Sequence, residues 1–307
     1  AGGPAFQVAE SVKQRSDGKF DIRVFKPGAI VAGAQYYDAV SKGAVNAAYG
    51  SPGGNAGKNS AYAFFAAVPI SLMLLGTLAV ALGLDDRLAR ALWLPGVALQ
   101  FAATVWVLGR WPTGTSSWPA KSPVLFIPIV GNVLVPLAGM RLGHPNLSWA
   151  FLAIGAFFWP IVVALLLARQ SQQPLPERLQ PSWFILVAPP AVIGLVAPAM
   201  GFGQGAAFAM IGLGAFCLAL ALRIAPRLPK LPFGMPFWAM SFPLAAFAAL
   251  LLRTAEAEPS LQLAGVAMLA VASVVVLWLS LATIRGLRNR SLLQPEPVAA
   301  IVPVAGA

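Results

Sequence analysis

The sequence predicts an all-α membrane protein with eight transmembrane helices, and three observations carry that reading. Hydrophobic residues make up 58% of the 307 residues and charged residues only 10%, against roughly a quarter charged in an ordinary soluble protein. The mean hydropathy is +0.76. Beyond Ser60 the chain falls into eight apolar runs, each near the roughly 20 residues that a helix needs to cross a 30 Å hydrocarbon core.

The runs are 63–83, 91–111, 124–142, 147–169, 182–200, 203–224, 235–252 and 262–284. Short connectors rich in Pro, Gly and charge separate them, among them LDDRLAR, GHPN and RTAEAEPS. Trp93, Trp111, Trp118, Trp149 and Trp183 lie near run ends, where an amphipathic ring prefers the membrane interface. Helices of a large soluble core would need polar faces, and these runs have almost none. Residues 1–60 differ in kind. They hold Lys13, Arg15, Lys19, Arg23, Lys26, Lys42 and Lys58 together with Glu10, Asp17, Asp21 and Asp38.

The net charge of +11 does not point to nucleic acid. Past residue 60 the basic side chains sit singly at run ends, without an aromatic-interleaved stripe, so they read as charges that orient helices. One side gathers Arg110, Lys121, Arg169, Arg178, Arg223, Arg227, Lys230, Arg285, Arg288 and Arg290; the other has Arg87, Arg90, Arg141 and Arg253. That asymmetry predicts a multi-pass protein of the inner (plasma) membrane with both termini cytoplasmic. A single cysteine, Cys217, excludes an intrachain disulfide. The chain starts without Met or a basic-then-apolar leader and reads as a fragment.

Prolines alternate among the runs. The first carries Pro69, the third Pro128 and Pro136, the fifth Pro189, Pro190 and Pro198, and the seventh Pro236 and Pro243. Runs six and eight have none, run two has Pro95 near its start, and Pro160 in run four breaks the pattern. A mid-helix proline removes a donor and kinks the helix, which a bilayer tolerates only where protein or water satisfies the freed carbonyl. The alternation therefore predicts repeated hairpins, the kinked member facing an axis and the straight member facing lipid. A general abundance of Pro in membrane helices is the competing explanation.

No catalytic constellation is present, and neither an enzyme nor a cofactor is expected. His144 falls in a GHPN turn, Cys217 reads as a small buried hydrophobe, and GFGQG (201–205) lacks the strand and lysine of a phosphate loop. No carboxylate lies within any run, so relays and cation sites built on Asp or Glu have no material. The intramembrane polar residues are Ser71, Thr77, Gln100, Thr104, Asn132 and Ser241. They either tie helices together or, with Ser71, Asn132 and Ser241 along a path, offer donors without negative charge to a weakly held anion. Basic residues at the cytoplasmic mouth would concentrate that anion further.

The segments FFAAVPISLMLLG, FIPIVGNVLVPLAG, LSWAFLAIGAFFWPIVVALLLAR, PSWFILVAPPAVIGLVA and PFWAMSFPLAAFA occur in this order. From about Phe64 to about Leu292 the chain resembles the tellurite-resistance/dicarboxylate transporter family, which includes the plant slow anion channels. The resemblance implies ten spans in five hairpins around a central pore, of which this chain would hold the third to the tenth, and a homotrimer. It also implies a pore gate on the helix matching WAMSFPLAA, which makes Phe242 the candidate. A ring beside Pro243 can close a narrow pore by bulk and dewetting, although packing is the rival role for any of eighteen phenylalanines.

The family's first hairpin has no counterpart here. In its place DGKFDIRVFKPGAIVAGAQYYDAVSKGAVNAAYG resembles part of a TRAP-type periplasmic substrate-binding protein, implying a short α/β fragment with a helix (4–16), a strand (20–25) and a second helix (34–42). So small a piece cannot close a solute site, and it is marginal in stability by itself. The expected organisation is a binding-protein-like segment (1–62), a transmembrane transport domain (63–290) and a flexible tail (291–307). The expected activity is passage of small anions across the bilayer. A coupled exporter of dicarboxylates or tellurite-like oxyanions, a membrane-tethered binding module and a truncated, inactive chimera are the alternatives.

Overall fold

The computed structural model describes residues 4–25, 40, 43–47, 67–109, 111–112, 122–172 and 174–293. The chain divides into two compact units, residues 1–55 and 56–307.

In the first unit, α1 (Pro4–Arg15) ends because the backbone turns left-handed at Asp17 and Gly18, with φ of 51° and 75°. The Gly18 amide then reaches back to the Lys13 carbonyl at 2.9 Å and the Asp17 amide to Gln14 at 3.4 Å, the paired bonds that close a helix C-terminus. Lys13 and Asp21 form an exposed ion pair at 3.3 Å. The strand expected at 20–25 is not formed. A lone extended segment needs a neighbour for its N–H and C=O groups, and none of the described residues supplies one. The helix expected at 34–42 lies outside the described residues except for residue 40.

Every described element of the second unit is a helix. Its elements are α2 (Ala67–Ala81), α3 (Asp86–Leu108), α4 (Pro123–Gly139), α5 (Pro145–Gln172), α6 (Glu177–Val196), α7 (Gly203–Leu222), α8 (Met235–Ala255) and α9 (Gln262–Arg288). The third, fifth, sixth, seventh, eighth and ninth are long and apolar enough to cross a membrane, whereas α2 and α4 are shorter apolar helices. The chain is thus a multi-pass membrane protein.

Why α4, α6 and α8 are irregular follows from their prolines. The fourth helix passes from a 3₁₀ turn (Pro123–Leu125) through a π-helical stretch (Phe126–Val130) and a second 3₁₀ turn (Gly131–Leu134) to a short α segment (Pro136–Gly139). In α6 a 3₁₀ stretch (Glu177–Val187) precedes an α segment (Ala188–Val196). In α8 the same change occurs between Met235–Met240 and Ser241–Ala255. Pro136, Pro189, Pro190 and Pro243 each stand in the first turn of a regular segment, where the missing N–H costs least. They open helical halves rather than interrupt a continuous helix. Pro198 lies in the turn beyond α6 and is exposed. Pro95 and Pro160 sit within unbroken helices and are also exposed.

Burial separates the helices into two sets. The most apolar stretches of α6 and α8 are 67% and 61% buried, against 17–28% for α3, α5, α7 and α9. α2, α4, α6 and α8 each pack on the helix that follows, and they adjoin one another in that order. No extensive contact returns from α8 to α2. Accordingly α2 buries only Pro69, Met73, Gly76 and Ala79, its face toward α3, and leaves Val68, Leu75 and Leu78 exposed. Close approach needs small residues, since lipid supplies no hydrophobic drive for helix pairing. A Cβ on Gly76 would lie 2.8 Å from the Trp93 Cβ and 2.9 Å from the Ala89 carbonyl.

Candidate functional site

The broken helix α4 must find partners for its backbone carbonyls, and α3 supplies them. Gln100 is fully buried. Its Nε2 donates to the carbonyls of Ile127 and Pro128 at 2.9 and 3.2 Å. The Thr104 hydroxyl is 2.6 Å from the same Pro128 oxygen and 2.8 Å from the Gln100 carbonyl. Asn132, on α4 itself, donates Nδ2 to the Thr104 hydroxyl and to the Ile129 carbonyl, both at 2.8 Å. With all three side chains buried, this is a polar seam between an inner and an outer helix. Asn132 is fully enclosed there.

The other polar residues singled out in the sequence satisfy their own helices. Ser71 is exposed, and its hydroxyl donates to the Ala67 carbonyl at 3.0 Å. Ser241, half-buried, donates to the Trp238 carbonyl at 2.7 Å. His144 stacks on Trp93 with centroids 5.5 Å apart, between α4 and α5. Among the described residues no group of three His, Cys, Asp or Glu side chains is placed to hold a metal ion.

The eighth helix shows two different faces. Pro243, Leu244, Phe247, Leu250 and Leu251 are buried. The opposite stripe holds Ser241 and Phe242, both half-buried, then Ala245, Ala249 and Arg253, all exposed. Their spacing of about four residues keeps them on one line. Phe242 also packs against the main hydrophobic core, so its ring is held at one edge. The methyl groups at 245 and 249 leave room beside α8 where larger side chains would fill it.

At its far end this stripe reaches a cleft of about 190 Å³ lined by Gly194, Pro198, Gln204, Arg253, Thr254 and Glu256. Arg253 Nη1 lies 3.0 Å from Glu256 Oε1, and both side chains are largely exposed. The sequence had offered Arg253 only as a flanking charge. The signal that could have found it is the run of small residues four apart, Ser241, Ala245 and Ala249, that leads to it. Of the remaining proline positions, Pro69, Pro128, Pro136, Pro189, Pro190 and Pro243 are buried. The cleft therefore gathers Pro198 and Arg253, the seam gathers Pro128 and Asn132, and Phe242 belongs to neither.

Comparison with known proteins gives this arrangement a family. The chain is 27% identical over 192 residues to the S-type anion channel SLAH2 of Arabidopsis thaliana, which covers 60% of this chain and 36% of the relative. It is 26% identical over 234 residues to the S-type anion channel SLAH3 of the same plant, covering 72% of this chain and again 36% of the relative. The chain thus spans about a third of the length of the curated relatives it matches. The family model that matches residues 54–284 is described as SLAC1, voltage-dependent anion channel. On that match, three quarters of its length and every helix from α2 to α8 included, the chain belongs to the SLAC1 family of anion channels.

Proposed function

We propose that the second unit conducts small inorganic or organic anions across the bilayer, along the side of α8 marked by Phe242, Ala245, Ala249 and Arg253. One observation supports this above the others: a helix that is mostly buried leaves Ala245 and Ala249 uncovered on a line that ends at Arg253. No carboxylate lies on the stripe itself, and Glu256 meets it only at the mouth. Such a wall attracts anions without holding them tightly, as conduction requires. Phe242 is the gate in this proposal, a half-buried ring on the stripe that yields to a passing ion. Eight spans, from residue 63 to residue 290, form the transport domain, with both termini on the cytoplasmic side and three copies associating.

The test is planar-bilayer recording from the purified chain in chloride, nitrate and gluconate. Anion-selective current that rises several-fold in Phe242→Ala supports the proposal. Cation-selective current overturns it. Flux that saturates and follows an imposed pH gradient, with dicarboxylates or tellurite as cargo, assigns coupled export in place of a channel.

A further inference from the structure

Among the described residues one charged side chain is buried. Arg169 stands in the last turn of α5, on the face that also buries Ser148, Gly155, Val162 and Leu166. Gly155 fixes the direction of that face, because a Cβ there would come 2.9 Å from the Val133 amide and 3.1 Å from the Val130 carbonyl of α4. Arg169 is thus turned toward the bundle, about 21 Å along the helix from Gly155 by the rise per residue. Only 6% of it is exposed. Its Nε is buried without a hydrogen-bond partner, and among the described residues no carboxylate pairs with it. Between Asp86 and Glu177 there is no Asp or Glu at all, and Glu177 is exposed.

Two other cations of the second unit have partners. Arg90 pairs with Asp86 at 3.5 Å and donates to the Leu142 carbonyl, and Arg253 has Glu256. Only the Nε is fully enclosed, but an arginine left with so little exposure and no counter-charge is unfavourable. Arginine cannot escape by losing its proton. Among the described residues nothing meets this charge.

We propose that Arg169 holds a compact anionic group at this end of α5. The planar fork of a guanidinium suits the two oxygens of a phosphate or similar oxyanion. A lipid headgroup and a free anion present the same chemistry, and the bilayer and the water are both within reach of a helix end. The site is distinct from the α8 stripe and does not depend on the transport reading.

The experiment is thermal unfolding of the full chain in nanodiscs, with gluconate as the only counter-ion at the start. One arm exchanges phosphatidylcholine for a mixture with phosphatidylglycerol. The other keeps phosphatidylcholine and adds sodium phosphate or sodium nitrate. The expected result is a rise of about 3–5 °C in the midpoint in one arm, as for a ligand well above its dissociation constant, and no rise for Arg169→Met in either. A rise in the lipid arm assigns a headgroup; a rise in the salt arm assigns a free anion. An equal rise in Arg169→Met, or none in the unaltered chain, overturns the proposal. Should Arg169→Met fail to fold, Arg169→Lys keeps the charge without the fork and is expected to show less than half the rise. An undiminished rise there overturns the assignment to the guanidinium.

Discussion

Gln100 donates its side-chain amide to the carbonyl of Ile127 at 2.9 Å, joining a regular outer helix to an irregular inner one. The bond exists because α4 changes from π-helical to 3₁₀ turns between residues 126 and 134, which takes consecutive carbonyls out of the i→i−4 ladder. Inside a bilayer each orphaned carbonyl costs free energy that no water can offset. Gln100 and Thr104 supply from the neighbouring helix what α4 cannot supply itself.

Replacing Gln100 by Leu removes the donor to both Ile127 and Pro128. The expected destabilisation is about 1–2 kcal/mol, the range for a buried bond lost in a membrane protein. Thr104 still serves Pro128 in that variant, and Gln100 still serves it in Thr104→Val. The double variant should therefore lose more than the sum of the two, by at least about 0.5 kcal/mol. A double-mutant cycle from unfolding in detergent measures this, and strict additivity would show that the two donors do not share their acceptor.

Close helix contact makes a second, sharper prediction. Gly76→Val would push two further carbons into Trp93 and the α3 backbone, where a Cβ alone already meets atoms at 2.8 and 2.9 Å. Overpacking of that kind typically costs about 1–3 kcal/mol, and more where backbone must move. Gly212→Val in α7 is the matched control, because nothing lies within 4 Å of a Cβ there. Yield of monodisperse protein and the unfolding midpoint should fall for the first and stay for the second.

Much of the helical plan was legible before any coordinates. Apolar run length placed the segments, and the alternation of proline separated α4, α6 and α8 from the less buried α3, α5, α7 and α9, because a helix that breaks its own ladder must be surrounded by protein. What the sequence did not convey was direction. In a uniform helix 3.6 residues per turn fix which way each side chain points, but 3₁₀ and π turns wind at different rates. Asn132, which follows both kinds, faces Thr104 in the seam for that reason. Arg169 reads as a charge at a run end that orients its helix, whereas α5 continues through it to Gln172 and buries it. The stretch 20–25 failed as a strand because strand pairing belongs to two segments and can be read from neither alone.

If anions travel beside α8, bulk added to its uncovered stripe must slow them. Ala249→Phe places a ring one turn beyond Ala245, on an exposed face, so the fold should tolerate it. Conductance should drop at least several-fold while the unfolding midpoint stays within about 2 °C, since surface changes usually cost little. Phenylalanine at Ala264 of α9, exposed on an outer helix, should leave conductance unchanged. Equal conductance in all three proteins would move the route elsewhere.

The last prediction concerns the mouth. Arg253 and Glu256 lie 3.0 Å apart at the rim of the cleft beside Gly194 and Gln204. In so exposed a setting the pair adds little to stability, so its effect is on the local field. The Glu256 carboxylate, paired with Arg253, cancels much of the potential that Arg253 presents to an arriving anion. Glu256→Gln unmasks that cation, and anion current at low ionic strength should rise by about two- to three-fold, the scale expected of steering by one charge. Arg253→Gln should lower it to a similar degree. Both differences should shrink between 10 mM and 1 M salt, as the screening length falls from about 30 Å to about 3 Å. A change in current that survives 1 M salt would point to an altered pore shape instead, and unchanged current in both variants would place the anion's path away from this cleft.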